Sequence, residues 1–331
     1  METRKVQVTG GSTYTVSIPK GWANDNGVEA GSVVEFYPED DSLLLTPREE
    51  REGTEGELDV GDLSGDDLTR AVTTMYVSGF DVVRFTAPRI TAEQRQTIRA
   101  TAQGLVGLEV LEETGDSVVV RDLLDSSDLS IDDAVGRMRL IALSMLDDAV
   151  TALTDGDDEL AADVVARDDD VDRLYLMVSR IFRATLRDPG AAAALGLPRE
   201  TCFDHHAAAR QLERVADHAT KIAHLARNVE TPPPAVVDAL AELHEEARAV
   251  IDTAMDALLA GEEEDPTALA NEARGAILDI DEHARSVDEL LRELDPYEAQ
   301  QLGLVVDSLS RSADYGGNVA ESALQNAAPA P

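Results

Sequence analysis

The fold of this chain is decided by the stretch Leu212-Glu213-Arg214-Val215-Ala216-Asp217-His218-Ala219-Thr220-Lys221-Ile222-Ala223. A related stretch follows later, Leu309-Ser310-Arg311-Ser312-Ala313-Asp314-Tyr315-Gly316-Gly317-Asn318-Val319-Ala320. Leucine, arginine, alanine and aspartate coincide in the two copies, and an isoleucine in the first matches a valine in the second. Repetition in the same order predicts a duplicated structural unit.

Helical periodicity surrounds both copies. Ser130 followed by Asp133 is a helix start signal, and apolar residues then recur at steps of three and four. The helices are predicted at about 131–153, 157–187, 199–229, 235–261, 266–294 and 296–325. A proline run at 231–234 must interrupt the chain between the third and fourth helix. The pattern therefore predicts two three-helix repeats, over 129–230 and 235–325.

The first third of the chain has a different pattern. Residues 1–47 alternate in short stretches that predict four small strands and a short helix. A unit of this size can scarcely cover a core alone, so we expect it to dimerise. Residues 48–64 are acidic and carry glycines, which favours a linker with little fixed structure. Helix and strand patterns alternate over 65–122 and predict a small α/β module. The predicted fold class is thus multidomain α+β.

The charge of the chain is extreme. Asp and Glu number 66 and Lys and Arg 28 of 331 residues, which gives a net charge of −38. Lysine occurs only at Lys5, Lys20 and Lys221. This composition is typical of proteins that work in concentrated salt, where charges are screened over about 3 Å at 1 M. A protein that binds basic partners is the alternative.

The sequence indicates an intracellular, water-soluble protein. A single cysteine, Cys202, excludes an intrachain disulfide. No run approaches the apolar length of a membrane helix, and the N-terminus lacks an apolar signal core, so we expect a cytoplasmic protein without membrane insertion. Phosphate-loop and serine-hydrolase motifs are lacking, and Cys202 has no recognisable catalytic context, so no enzyme is predicted.

Carboxylates on two predicted helices are the candidate metal ligands. Glu213 and Asp217 flank the apolar stripe of one helix, and Asp168 and Asp172 share a face of an earlier one. Carboxylates from packed helices can hold a divalent or ferric ion. Four histidines could add nitrogen ligands: His205, His206, His218 and His224. In a chain this acidic, a solvated acidic face remains the alternative.

The N-terminal residues give a mixed signal for nucleic acid. Residues 1–47 hold three basic side chains, Arg4, Lys5 and Lys20, against seven acidic ones. By ordinary charge rules this net of −4 argues against DNA binding. In strong salt, however, counterion release contributes little and short-range contacts must supply the affinity. A pure dimerisation module is the alternative.

The segment Arg4 to Pro47 resembles the AbrB/SpoVT swapped-hairpin DNA-binding domain. Val16-Ser17-Ile18-Pro19-Lys20 carries the resemblance, together with Asn26-Gly27-Val28-Glu29-Ala30-Gly31-Ser32-Val33-Val34-Glu35-Phe36. The resemblance implies an intertwined homodimer and suggests Arg4, Lys5 and Lys20 as DNA contacts.

Residues from about 129 to 325 resemble two tandem PhoU three-helix repeats, through Leu212 to Ala219 and the acidic segment around Asp168 to Leu174. In that family acidic motifs can hold iron or zinc, and the proteins restrain phosphate uptake. Carried over by position, the implied metal ligands are Asp168, Asp172, Glu213, Asp217 and Asp314. The second repeat departs from the pattern, because Ser310 stands where Glu213 stands in the first.

Together the two resemblances predict an archaeal regulator of phosphate uptake that joins an AbrB-type domain to PhoU repeats. Its implied partners are promoter DNA of phosphate-transport genes, and a phosphate ABC transporter ATPase or a signalling protein. The first alternative is a PhoU-type brake on the transporter that does not bind DNA and whose N-terminal unit only dimerises. A metal-storing helical bundle is the second alternative.

Overall fold

The computed structural model describes residues 3–39, 42–48, 53–124, 130–261 and 264–328. The chain divides into two compact units, Met1–Glu52 and Gly53–Pro331. Within the described ranges, no helix is both long enough and apolar enough to cross a membrane.

The first unit consists of two hairpins and one short helix. Its elements are β1 (Gln7–Thr9), β2 (Thr13–Thr15), α1 (Lys20–Asp25), β3 (Val34–Glu39) and β4 (Ser42–Pro47). β1 pairs with β2 and β3 with β4, both antiparallel. Gly10 and Gly11 turn the first hairpin with positive φ values of 65° and 81°. None of the described residues between 3 and 48 is buried. One chain alone therefore gives this unit no core there, as its small size predicts.

The second unit begins with an α/β module. Its elements are β5 (Glu55–Asp59), α2 (Gly65–Val77), β6 (Val82–Thr86), α3 (Ala92–Gln103), β7 (Leu108–Glu113) and β8 (Ser117–Asp122). They form a four-stranded sheet in the order β5-β6-β8-β7, so β5 and β7 lie at the edges. β5 runs parallel to β6, and β8 is antiparallel to both of its neighbours. A separate core fills the space between sheet and helices, with Tyr76, Phe85 and Ile98 among its buried side chains.

The linker prediction for residues 48–64 is wrong for Glu55–Asp59, which form β5. The acidic side chains of this strand are exposed, and Leu58 packs against the module's core. A Cβ on Gly56 would come within 2.7 Å of Met75 and 2.9 Å of Phe80. The glycine that suggested a flexible linker thus gives the sheet edge room for two large core side chains.

Helices make up the rest of the second unit. They are α4 (Ile131–Asp155), α5 (Asp158–Arg187), α6 (Pro189–Leu195), α7 (Arg199–Ala226), α8 (Pro234–Leu258), α9 (Pro266–Leu291) and α10 (Pro296–Asn326). The six long helices agree with the predicted ones. The Ser130 side chain accepts a hydrogen bond from the Asp133 backbone N–H, which confirms the predicted start of α4. α6 was not predicted, because its alanine run has no apolar periodicity.

The long helices form two three-helix bundles. α4, α5 and α7 pack as one bundle and α8, α9 and α10 as the other, while α7 packs on α10 and α4 on α8. Apolar residues of both bundles form one continuous core. The predicted fold class is therefore confirmed in its parts: a strand-rich N-terminal unit, an α/β module and paired helical bundles.

Helix α5 also anchors the α/β module. The Arg180 guanidinium lies 2.7 Å from the Asp122 carboxylate, donates a 2.6 Å hydrogen bond to the Tyr76 carbonyl and lies 5.0 Å from that ring's centroid. Both charged side chains are largely shielded from solvent, with exposed fractions of 11% and 9%. Leu176 packs against the module's core, and Arg187 donates to the Ser78 carbonyl. One helix thus holds the module against the first bundle.

Candidate carboxylate site between α5 and α7

The packing of α5 against α7 brings the predicted carboxylates of the first bundle together. Burial, and next the charge of Asp217, raise the pKa of Asp168, while the Thr220 hydroxyl partly offsets this. Burial, and next the charges of Asp168 and Asp217, raise the pKa of Asp172 to about 6. Because these side chains come from two helices yet influence one another, they share one electrostatic environment.

Glu213 completes this group, which we call the carboxylate cluster (Asp168, Asp172, Glu213 and Asp217). Burial raises the pKa of Glu213; Arg210 opposes this shift, whereas Asp217 and Asp172 add to it. Its Oε1 accepts a 2.8 Å hydrogen bond from Arg210, while Oε2 is buried with no hydrogen-bond partner. Such an orphaned oxygen, among carboxylates that repel one another, suits a hard cation.

The cluster is not a ready-made metal site. Among the described residues, no three His, Cys, Asp or Glu side chains are grouped closely enough to hold an ion. The Arg210 guanidinium supplies positive charge next to the carboxylate cluster. It is hydrogen-bonded to Glu213 and lies 5.2 Å from the centroid of the Tyr175 ring. Sequence reasoning missed Arg210, although its position three residues before Glu213 on one helix face was a usable signal. Binding of iron or zinc stays a prediction.

Three of the four candidate histidines have their contacts with residues outside the carboxylate cluster. His205 is buried, bonded through Nδ1 to the Thr201 carbonyl and 3.2 Å from Asp132. His206 stacks on Phe182 and Tyr175, with Nε2 3.2 Å from the Ser179 hydroxyl. Burial lowers the pKa of His218 to about 4.

Two candidate histidines interact electrostatically with the cluster: His224 lowers the pKa of Asp168, and Asp217 acts on His218 against the effect of burial. Cys202 is buried and burial raises the pKa of its thiol, so it is no activated nucleophile.

The second bundle carries a reduced version of the cluster. Asp314 on α10 faces Asp281 on α9; burial, and next this neighbour, raise the pKa of Asp314. The aspartates of the two third helices, Asp217 and Asp314, thus each face a carboxylate of the second helix in their own bundle.

The remaining positions of the second bundle differ. In the first bundle the Thr220 hydroxyl is next to Asp168. The equivalent of Thr220 in the second bundle is Gly317. A Cβ added to Gly317 would lie 2.4 Å from Ile277 Cδ1, so Ile277 fills the space beside this glycine. An apolar side chain therefore occupies the place of a carboxylate, and Ser310 replaces Glu213. We conclude that two of the four acidic positions are lost.

The three candidate DNA contacts lie on the first unit. Arg4 and Lys5 precede β1, Lys20 is the first residue of α1, and all three are exposed. Large apolar side chains of this unit are exposed as well: Val6, Val8, Tyr14, Val16, Val33, Phe36 and Leu43. So much exposed apolar surface is typical of an interaction face.

Two domain families match this chain. Residues 135–226 match the PhoU domain, and residues 7–53 match the family described as antidote-toxin recognition MazE, bacterial antitoxin. The first match covers most of the bundle that contains the carboxylate cluster, and the second covers the strand-rich unit. The chain thus contains a region that matches the PhoU domain, preceded by a region that matches the MazE antitoxin family.

One solved structure agrees with the helical fold, and a second is similar at a lower score. PhoU from Pseudomonas aeruginosa is similar at 22% sequence identity and a TM-score of 0.51, over 59% of this chain and 93% of that one. The phosphate transport system regulatory protein PhoU from Streptococcus pneumoniae shows 17% identity and a TM-score of 0.48, over 59% and 91%. No curated protein sequence matches this chain.

Proposed function

We propose that this protein is a phosphate-responsive regulator of phosphate uptake that acts on promoter DNA of phosphate-transport genes. The observation that carries the proposal is the order of the two family matches, a MazE/AbrB-like domain followed by a PhoU domain on one chain. In this arrangement the helical bundles sense or relay phosphate status, and the N-terminal unit delivers the response. The proposal places the protein in the cytoplasm of a salt-loving archaeon and assigns it no catalysis.

The N-terminal unit dimerises in this proposal. Its apolar side chains are exposed in the single chain, from Phe36 at 55% to Tyr14 at 77%. Covering them in a homodimer would remove apolar surface from water at about 25 cal/mol per Å². A dimer would also double the three candidate DNA contacts, Arg4, Lys5 and Lys20, to six.

Binding to DNA is tested by electrophoretic mobility shift in molar KCl, with promoters of phosphate-transport genes and random DNA of equal length. We expect a preference for the promoters that is lost when Arg4, Lys5 and Lys20 are changed to glutamine. Lys221→Gln is the matched control, because Lys221 is an exposed lysine on α7. Equal binding of promoter and random DNA would remove the transcriptional part of the proposal.

A regulator that does not bind DNA is the second candidate. It would restrain a phosphate ABC transporter ATPase, or act through a signalling partner, with the N-terminal unit as a dimer clamp. The acidic balance of residues 1–47 favours it. Phosphate regulation that survives the triple glutamine variant in cells, and recovery of the transporter ATPase with the protein from phosphate-replete cells, would support this candidate.

A further inference from the structure

We propose that the groove between α3 and the edge strand β7 of the α/β module binds an extended, basic peptide segment of a partner protein, by adding it to the sheet as a further strand. The groove has a volume of about 380 Å³. Arg99, Ala102 and Gln103 line it from α3, and Leu108–Glu113 from β7. It belongs neither to the carboxylate cluster nor to the N-terminal unit, so the inference is independent of the proposed function.

The backbone of β7 has the capacity to pair on its outer side. In the strand order β5-β6-β8-β7, β7 pairs with β8 alone among the described strands. Edge strands present a row of unpaired N–H and C=O groups, which proteins protect or use for strand addition. A helix beside such an edge forms the second wall that an added strand needs for its side chains.

The groove also offers an apolar anchor. Leu111 lies at the register shift of β7 between Val110 and Glu112, and 53% of its surface is exposed. It lines the groove together with residues of α3. A β-bulge beside a binding edge re-aims a side chain, which fits an anchor for one apolar residue of the incoming strand.

The charges around the groove select the partner. Glu109 and Glu112 are exposed and have no ion-pair partner among the described residues. Glu113 is already neutralised by a bidentate ion pair with Arg99, at 2.6 and 2.8 Å. Glu109 is the register partner of Arg121 on β8, so the three glutamates of β7 exceed Arg99 and Arg121 by one negative charge. This excess beside an apolar anchor favours a strand in which basic and apolar residues alternate.

The same charges argue against a second copy of this chain as the occupant. Pairing β7 with β7 of another copy would place two sets of glutamates along one seam. Like charges opposite each other destabilise strand pairs.

The test uses the full chain in molar KCl and a fluorescein-labelled peptide of alternating lysine and valine. The matched probe is the same peptide with alternate backbone nitrogens methylated, which keeps the charge and removes hydrogen-bond donors. We expect the unmethylated peptide to bind about tenfold more tightly, since two or more backbone hydrogen bonds are lost on methylation. We also expect it to slow amide hydrogen exchange in Leu108–Glu113.

Two pairs of variants locate the site. Leu111→Ser is expected to weaken binding several-fold, whereas Leu278→Ser, at an exposed leucine of α9, leaves it unchanged. Changing Glu109 and Glu112 to glutamine weakens binding, whereas the same change at the exposed Glu272 and Glu289 of α9 does not. Equal affinity for the two peptides, no binding, protection at another strand, or dimerisation through Leu111 would each overturn the proposal.

Discussion

His218 and Tyr315 occupy equivalent positions in the two copies of the repeated sequence, and their rings are in contact, with centroids 5.7 Å apart. When equivalent residues of two repeats meet, the helices that carry them cross at a local two-fold axis. α7 and α10 therefore pack as the two halves of a symmetric dimer would.

The seam between α4 and α8 follows the same symmetry. Arg139 of α4 binds Asp252 of α8 at 2.5 Å, and His244 of α8 binds Asp147 of α4 at 2.9 Å. Each helix thus supplies one basic and one acidic partner. The two bundles are therefore joined by a reciprocal pair of polar contacts between α4 and α8, and by the contact of His218 with Tyr315 between α7 and α10.

Two glycines of α10 allow a test of how closely the second bundle packs. A Cβ on Gly316 would lie 3.0 Å from backbone atoms of Ile251, whereas a Cβ on Gly303 would meet nothing within 4 Å. Gly303→Ala should stabilise the protein by up to about 1 kcal/mol through helix propensity. Gly316→Ala should destabilise it by about 1–3 kcal/mol, because α8 must move away. Chemical denaturation measures both, and equal effects would contradict the close approach.

The Arg180 ion pair should be essential for holding the α/β module on the first bundle. Arg180→Gln leaves the buried Asp122 carboxylate unpaired, which costs about 3–5 kcal/mol of unfolding free energy. Arg70→Gln breaks an exposed ion pair with Asp67 in the same module, and should cost less than about 1 kcal/mol. Urea denaturation followed by circular dichroism compares the two variants. A similar loss of unfolding free energy in both variants would show that the Arg180 ion pair contributes no more to stability than an exposed one.

Asp147 should give the α4–α8 seam a dependence on acidity. Burial alone would raise its pKa, but the hydrogen bond with His244 and the charge of Arg248 outweigh burial and lower the pKa below its usual value. A carboxyl with a lowered folded-state pKa stabilises the protein above its unfolded pKa, near 4, and this stabilisation is lost as the pH falls further. The stability difference between wild type and Asp147→Asn should therefore shrink as the pH falls below about 4. A difference that grows towards low pH would show the opposite shift.

Trp22 reports on the N-terminal unit alone, since it is the only tryptophan of the chain. If the exposed apolar side chains of this unit are covered by a second copy, the unfolding midpoint seen by Trp22 emission rises with protein concentration. The helical content seen by circular dichroism belongs mainly to the second unit and is the internal control. An emission midpoint that does not change over a hundredfold dilution would argue against dimerisation through this unit.

The sequence predicts the long helices well, for a physical reason. Their apolar residues must face one core, so burial imposes a period that is visible without the structure, as from Ile131 to Leu153. β5 has no such signal, because Glu55 and Glu57 of this edge strand face water and Gly56 makes room for Phe80. The residue propensities of this segment alone therefore predict a linker instead of a strand.

The carboxylate cluster was predictable in part. The spacing of Glu213 and Asp217 placed them on one side of α7, and the substitution at Ser310 is visible in the repeat. The partner of Asp314 could not be chosen among the acidic residues near Asp281, since the register of α9 against α10 depends on tertiary packing. The contact of Ile277 with Gly317 sets that register.

Metal binding should be confined to the first bundle. The first bundle has four carboxylates and a buried Glu213 oxygen without a partner, whereas the second keeps only Asp281 and Asp314. Protein purified without chelators should bind added ferrous or zinc ions at one locus, measured by elemental analysis after gel filtration. Asp217→Asn should abolish binding and Asp314→Asn should leave it intact, because each removes the aspartate at the same position of its repeat and only Asp217 has three carboxylate neighbours. Equal loss in both variants would mean that both bundles bind metal, and retention in both would place any metal outside the carboxylate cluster.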